Sequence, residues 1–293
     1  MPGKYRLRPL AAPTNVTVGA VTGRDRRILY HYTSAPGLIG IIQTHEIWAT
    51  NIHFLNDAQE FQFAINRFQR PLREELETRK LGHLYNPSMD EIGRLKRFNV
   101  CVFSLSEEGD LLSQWRSYCQ PGHGYAIAFD AERLQATADA HGFELCQCLY
   151  EETAQTDALR AIVSATLDAC SDTLRADPHS ESAIHEYLSQ IMSRFVEVAP
   201  LIKHPSFAEE REWRLVSGPK SFEDRTWGFR PGKTVIIPYY RLSLGNKETS
   251  PITTIGVGPT PDSELAFHAL AQLTRLAGLH TSVSRSVIPF RPW

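Results

Sequence analysis

The runs ILYHYT (28–33), VCVFSL (100–105), YAIAF (125–129), TVIIPYY (234–240) and ITTIGV (252–257) are short, apolar and rich in β-branched and aromatic residues. Each has the length and composition of a buried strand. Only some of the gaps between them carry a helical pattern, whereas a regularly wound parallel sheet needs a helix in nearly every gap. The chain is therefore expected to be α+β, with residues 26–293 forming one domain.

Further elements fall between these runs. Leu38, Ile41 and Ile42 recur at helical spacing after ILYHYT, and the chain returns to a strand at Ile47–Thr50. In FLNDAQEF, Asp57 and Glu60 have the spacing of a capping box, and Ala64, Ile65 and Phe68 continue the apolar face of that helix. GDLLSQWRSYC reads as a helix started by Asp110. Strands are expected at Cys146–Tyr150 and in REWRLVSG, with a helical insertion over about 156–200 between them. A helix over 263–277 precedes a last strand through Val283. Residues 1–25 lack periodicity and read as a flexible arm.

Composition narrows the class. With 42% hydrophobic and 22% charged residues the chain is ordinary for a globular protein, and a net charge of -2 gives no global attraction to nucleic acid. No apolar run approaches the ~20 residues of a membrane helix, and the N-terminus has no secretory h-region. The five cysteines include one close pair, Cys146 and Cys148, without the second pair or histidines of a zinc site. They read as buried thiols of a cytoplasmic protein, with no metal expected. No phosphate loop, GxSxG elbow or HExxH pair occurs.

Four polar clusters remain. In YHYTS, His31 and Thr33 share one strand face and Tyr32 takes the other; the pair suits a ribose or amide, and equally a strand end. Asn56, Asp57 and Glu60 read as capping chemistry. Gln114 and Tyr118 share a helix face, Trp115 belongs to the core, and Arg116 is either a surface charge or an anion ligand. In EEREWR, a strand would put Glu210, Glu212 and Arg214 on one face and Trp213 on the other. Such charges are costly facing inward unless paired or functional.

The stretches LYHYTS, IWATNIHFLNDAQEF, VFSLSEEGDLLSQWRSYCQPGHGYAIAFD, KHPSFAEEREWRL, IGVGP and SRSVIPFR resemble the bacterial family known as domain of unknown function 2971. More distantly, the His-x-Thr strand followed by GLIGII is similar to NAD-dependent ADP-ribosyltransferases, such as the DarT-type toxins that modify DNA. That resemblance implies a split mixed or antiparallel sheet with flanking helices. NAD is then the substrate, and His31 and Thr33 hold its ribose. Glu212, with Glu210 second, drives transfer. The aromatic beside nicotinamide is to be sought among Trp48, Tyr118 and Tyr32. The resemblance also implies a toxin or phage-defence effector with a nucleic-acid or protein acceptor, and an antitoxin or other defence-system partner.

The residues suit that chemistry. Cleavage of the nicotinamide–ribose bond develops positive charge, which a carboxylate stabilises. Arg214 would keep Glu212 ionised, Arg116 could face the pyrophosphate, and Gln114 is counted among the residues that bind the cofactor. The alternatives are a non-catalytic nucleotide or nucleic-acid-end sensor, and a metal-independent nuclease using His31, Glu212 and Arg116.

Overall fold

The computed structural model describes residues 27–55, 58–94, 99–119, 124–232 and 234–289. The arm expected over 1–25 and the cap at Asn56–Asp57 lie outside them. Ten strands join in one mixed sheet: β1 (Ile28–Ser34), β2 (Glu46–Asn51), β3 (Cys101–Ser106), β4 (Gly124–Asp130), β5 (Phe143–Gln147), β6 (Glu212–Ser217), β7 (Trp227–Pro231), β8 (Ile236–Ser243), β9 (Ile252–Val257) and β10 (Ser282–Arg285). The main path runs β10-β9-β4-β1-β3-β2-β8-β7, and β6 pairs with both β3 and β5. Only β10 and β9 run parallel among these pairs. The class is α+β, as the irregular spacing of helices predicts.

Strand β3 has three neighbours. Along one side it pairs with β6 throughout, from Val102–Val216 to Ser106–Glu212. Along the other it meets β2 at its start, through Thr50–Val102 and Asn51–Cys101, and β1 at its end, through Tyr30–Ser106. Between those contacts β1 and β2 part, and the sheet forks.

Helix α1 (Ala35–Thr44) bridges the fork, capped by Ser34 Oγ, which accepts from the Gly37 N–H. The helical layer on one face comprises α2 (Ala58–Thr78), α3 (Tyr85–Gly93), α6 (Glu152–Ala169), α7 (Ser171–Ala176) and α8 (Glu181–Val198). It buries Phe68, Leu72, Tyr187 and Phe195 against Val102 and Val216. The insertion expected over 156–200 is thus three helices between β5 and β6. On the opposite face Phe103, Leu105, Trp213 and Leu215 pack with residues of α1, α5 (Ala131–Asp139) and α9 (Ser263–Leu276). Strands β3 and β6 are buried on both faces; β3 accordingly reads as a nearly continuous apolar run, whereas β6 buries Glu212 and Arg214 as an ion pair.

Two expectations are corrected. Helix α4 is Leu112–Tyr118 and Leu111 precedes it without a side-chain cap. Asp110 instead accepts from Trp115 Nε1 at 2.8 Å, from Ser286 Oγ at 2.6 Å and from the Val287 N–H at 2.9 Å, so it ties α4 to the C-terminal segment. The strand expected at Cys146–Tyr150 lies earlier, at Phe143–Gln147, in register with β6.

Candidate functional site: a cleft at the fork of the sheet

His31 sits where β1 leaves β3. Its Nδ1 donates to the Ser104 carbonyl at 2.9 Å, and its ring stacks on Phe103 with centroids 4.2 Å apart. The imidazole replaces the main-chain pairing that the fork removes, and so satisfies a carbonyl of the central strand. A carbonyl only accepts, so the proton lies on Nδ1 and Nε2 keeps its lone pair. Burial pushes the His31 pKa down to about 4; the Ser104 carbonyl works against this and the positive charge of Arg230 adds to it. The ring is neutral at neutral pH.

Tyr32 anchors the loop beyond β3. Its hydroxyl donates to the Glu108 carbonyl at 2.6 Å and accepts from the Leu111 N–H at 3.0 Å, and its ring meets Trp115 edge-on at 4.7 Å. This places α4 over the fork. Gln114 and Tyr118, one turn apart on α4, line the same cleft as His31 and Tyr32, and Glu210 and Glu212 line it from the other side.

The carboxylates reach the cleft by different routes. Glu212 opens β6, whereas Glu210 ends a 3-10 segment, Pro205–Glu210. Arg211 between them turns at φ 41°, so the three charges do not alternate along one strand as the sequence suggests. The left-handed residue nevertheless brings both carboxylates to one ammonium. Lys203 Nζ bonds to Glu210 Oε2 and Glu212 Oε2 and lies 3.3 Å from Glu60 Oε1. Arg214 donates through Nε to Glu212 Oε1 at 2.8 Å, through Nη2 to Glu60 Oε2 at 2.7 Å, and through Nη1 to the Pro200 carbonyl at 2.6 Å.

Three carboxylates thus share two cations, leaving one net negative charge when all are ionised. The two glutamates of the cleft respond in opposite directions. Burial alone would raise Glu212, but Arg214 and Lys203 outweigh it and hold its pKa at about 2. Burial also acts on Glu210, and there it prevails over Lys203, so that carboxyl titrates above its usual range. Two carboxyls of one site whose pKa values are driven apart have the form of an acid/base pair. Tyr118, 42% exposed, is pushed up to about 12 by burial and by the charges of Glu210 and Glu212.

Other residues singled out in the sequence lie elsewhere. Thr33 packs under α1, where a Cβ on Gly37 would fall 2.2 Å from its Oγ1. Trp48 stacks on Tyr239 at 4.6 Å, outside the cleft lining. Arg116 is exposed and also outside that lining. Glu60, read as a capping residue, contributes its carboxylate to the buried cluster. Lys203, 2% exposed, gave no spacing signal, because Glu60 is remote in sequence and Glu210 and Glu212 are brought to it by the left-handed turn at Arg211. Among the described residues no group of three or more His, Cys, Asp or Glu could hold a metal ion, and no helix is long and apolar enough to cross a membrane.

Fold and site together define an α+β protein with a cleft at a forked sheet, floored by a buried ion cluster. Residues 114–215, from Gln114 to Leu215, match the model of a family described as "Protein of unknown function (DUF2971)". The resemblance to this family is borne out over that stretch, which includes the α4 and β6 residues of the cleft. No curated protein and no solved structure matches the chain.

Proposed function

We propose that the cleft carries out NAD-dependent ADP-ribosyl transfer. The observation that carries this reading is that His31 of β1 and Glu212 of β6, far apart in sequence, line one cleft beside a second carboxyl of opposite pKa displacement. His31 Nε2 accepts from a ribose hydroxyl. As the nicotinamide–ribose C–N bond breaks, its electron pair leaves with nicotinamide, and the net negative cluster around Glu212 stabilises the developing positive charge. The acceptor nucleophile bonds to the ribose carbon, and Glu210, in its ionised fraction, takes the acceptor's proton.

The cleft encloses about 60 Å³, far below the several hundred of a ligand pocket. It suits the reacting centre alone. Admission of a dinucleotide requires Tyr118 and Gln114 to swing away. The acceptor in this reading is a macromolecule, nucleic acid or protein, and the biological role is that of a toxin or phage-defence effector.

The test is incubation with NAD labelled in its ADP-ribose part and candidate acceptors, reading label transfer and nicotinamide release. Wild-type turnover that disappears in Glu212→Gln supports the proposal; turnover unchanged by that substitution removes Glu212 from the chemistry. One observation favours a second reading, a non-catalytic nucleotide sensor: both Glu212 oxygens are already taken by Arg214 and Lys203. Calorimetric binding of NAD or ADP-ribose without any turnover is the outcome that reading expects.

A further inference from the structure

A larger pocket lies in the helical layer, away from the cleft. It encloses about 580 Å³ between the end of α2 and the α7–α8 connection, within the size range of small-molecule sites. Arg79, Lys80, His83, Arg175 and His179 line it, and among the described residues no carboxylate does. Leu167 and Leu174, both buried, form its floor. In a chain of net charge -2, such a collection of cationic and imidazole groups stands against the average.

The pairing of these groups is uneven. Asp168 takes Arg79 at 2.5 Å, and His83 Nε2 bonds to the Pro178 carbonyl at 2.8 Å, which sets its ring 4.6 Å from that of His179. Asp177 Oδ1 is held by the His179 N–H at 3.0 Å. The side chains of Lys80 and Arg175 make no hydrogen bond or ion pair among the described residues.

The backbone adds an independent observation. Leu81 N–H donates to the Leu76 carbonyl at 2.7 Å and Lys80 N–H to the Glu77 carbonyl at 3.0 Å, closing α2 in a Schellman motif. Lys80 occupies its left-handed position, with φ 60°, where glycine is the residue without strain. The helix dipole favours a cation in this turn, but it does not require one at positive φ. Lysine there places an unpaired ammonium at the pocket.

We propose that this pocket binds a small phosphorylated ligand of nucleotide size. Its phosphate is held by Lys80, Arg175 and His179, which His83 positions, and its apolar body lies on Leu167 and Leu174. Guanidinium and ammonium donors suit phosphate oxygens, and a cavity of this volume has room for a base or comparable ring beside them. The site stands independently of the reaction proposed for the cleft.

Calorimetric titration of the full chain with AMP, adenosine and inorganic phosphate tests it. AMP is expected to bind at least about tenfold tighter than adenosine, the loss that one charge-assisted contact represents. Inorganic phosphate should compete with AMP if the phosphate is the recognised group, and AMP displaced by phosphate supports the proposal. The double substitution Lys80→Glu with Arg175→Glu should weaken AMP by more than about tenfold. Lys80→Gly provides an arm that does not threaten folding: it relieves the positive φ, so it should raise the midpoint of thermal unfolding and still weaken AMP. No AMP binding, adenosine binding as tight as AMP, or unaltered AMP binding in Lys80→Gly would each overturn the proposal.

Discussion

Arg214 donates to Glu60 at 2.7 Å across 154 residues of sequence, joining the central strand β6 to helix α2. That contact adds a buried charge pair to the apolar packing of the helical layer on the sheet. Because Arg214 also holds Glu212 through two nitrogens, the arrangement of the cleft and the docking of α2 depend on one guanidinium.

The charge count of this cluster orders its variants. Lys203→Met leaves three carboxylates facing one cation, and removing one partner of a buried pair costs about 3–5 kcal/mol. Glu60→Gln instead balances two carboxylates against two cations and keeps a hydrogen-bonding side chain, so its cost should be about 1–2 kcal/mol. Urea unfolding of both variants checks the order. Equal midpoints would show that the net charge of the cluster does not matter.

Acid sensitivity should follow His31. Its folded pKa, about 4, lies below the unfolded value of 6.5, so the unfolded chain binds the extra proton first. Stability is therefore full above about pH 6.5 and falls as pH drops toward 4, by at most about 1.4 kcal/mol per unit for one proton. Glu212 adds a second loss at lower pH, from its usual range near 4.5 down to about 2. His31→Gln should flatten the first window and leave the second, as measured by denaturant unfolding at successive pH values.

If the cleft transfers ADP-ribose, Lys203 governs its acid limb. Lys203→Gln removes a cation that lowers both Glu210 and Glu212, so both pKa values rise, and the limb set by the higher one, Glu210, moves with them. The acidic limb of the nicotinamide-release profile should shift to higher pH while the variant remains folded by circular dichroism. A limb that stays in place would assign it to another group.

Tyr32→Phe separates packing from hydrogen bonding. The ring and its edge contact with Trp115 persist, but the Glu108 carbonyl and the Leu111 N–H lose their partner. The expected loss is about 1–3 kcal/mol. Faster hydrogen exchange should be confined to the segment from Glu108 into α4.

The fold was more legible than the site. A strand buried on both faces announces itself as a continuous apolar run, as at Cys101–Ser106, and periodicity located α9 within a residue and placed α1 between the first two strands. Gln114 and Tyr118 were legible as one helix face, and the cost of an inward Glu212 pointed to pairing. What stayed hidden depended on contacts that spacing does not encode. The left-handed Arg211 takes Glu210 out of the strand, Glu60 has an ordinary capping position, and Lys203 acquires meaning only once α2 and β6 are adjacent. Asp110 looks like a helix cap in sequence because its real partners, Ser286 and Val287, lie at the far end of the chain.

Helix α1 is the direct covalent link from β1 to β2, and its ten residues span about 15 Å at the usual rise per residue. It therefore acts as a ruler for the opening into which His31 projects. Lengthening it by one residue would turn β2 by roughly 100° about the helix axis before the two strands could regain their places on β3. Evolution of this scaffold toward larger or smaller occupants is thus steered away from α1 and toward α4, whose side chains overhang the same opening without spanning it.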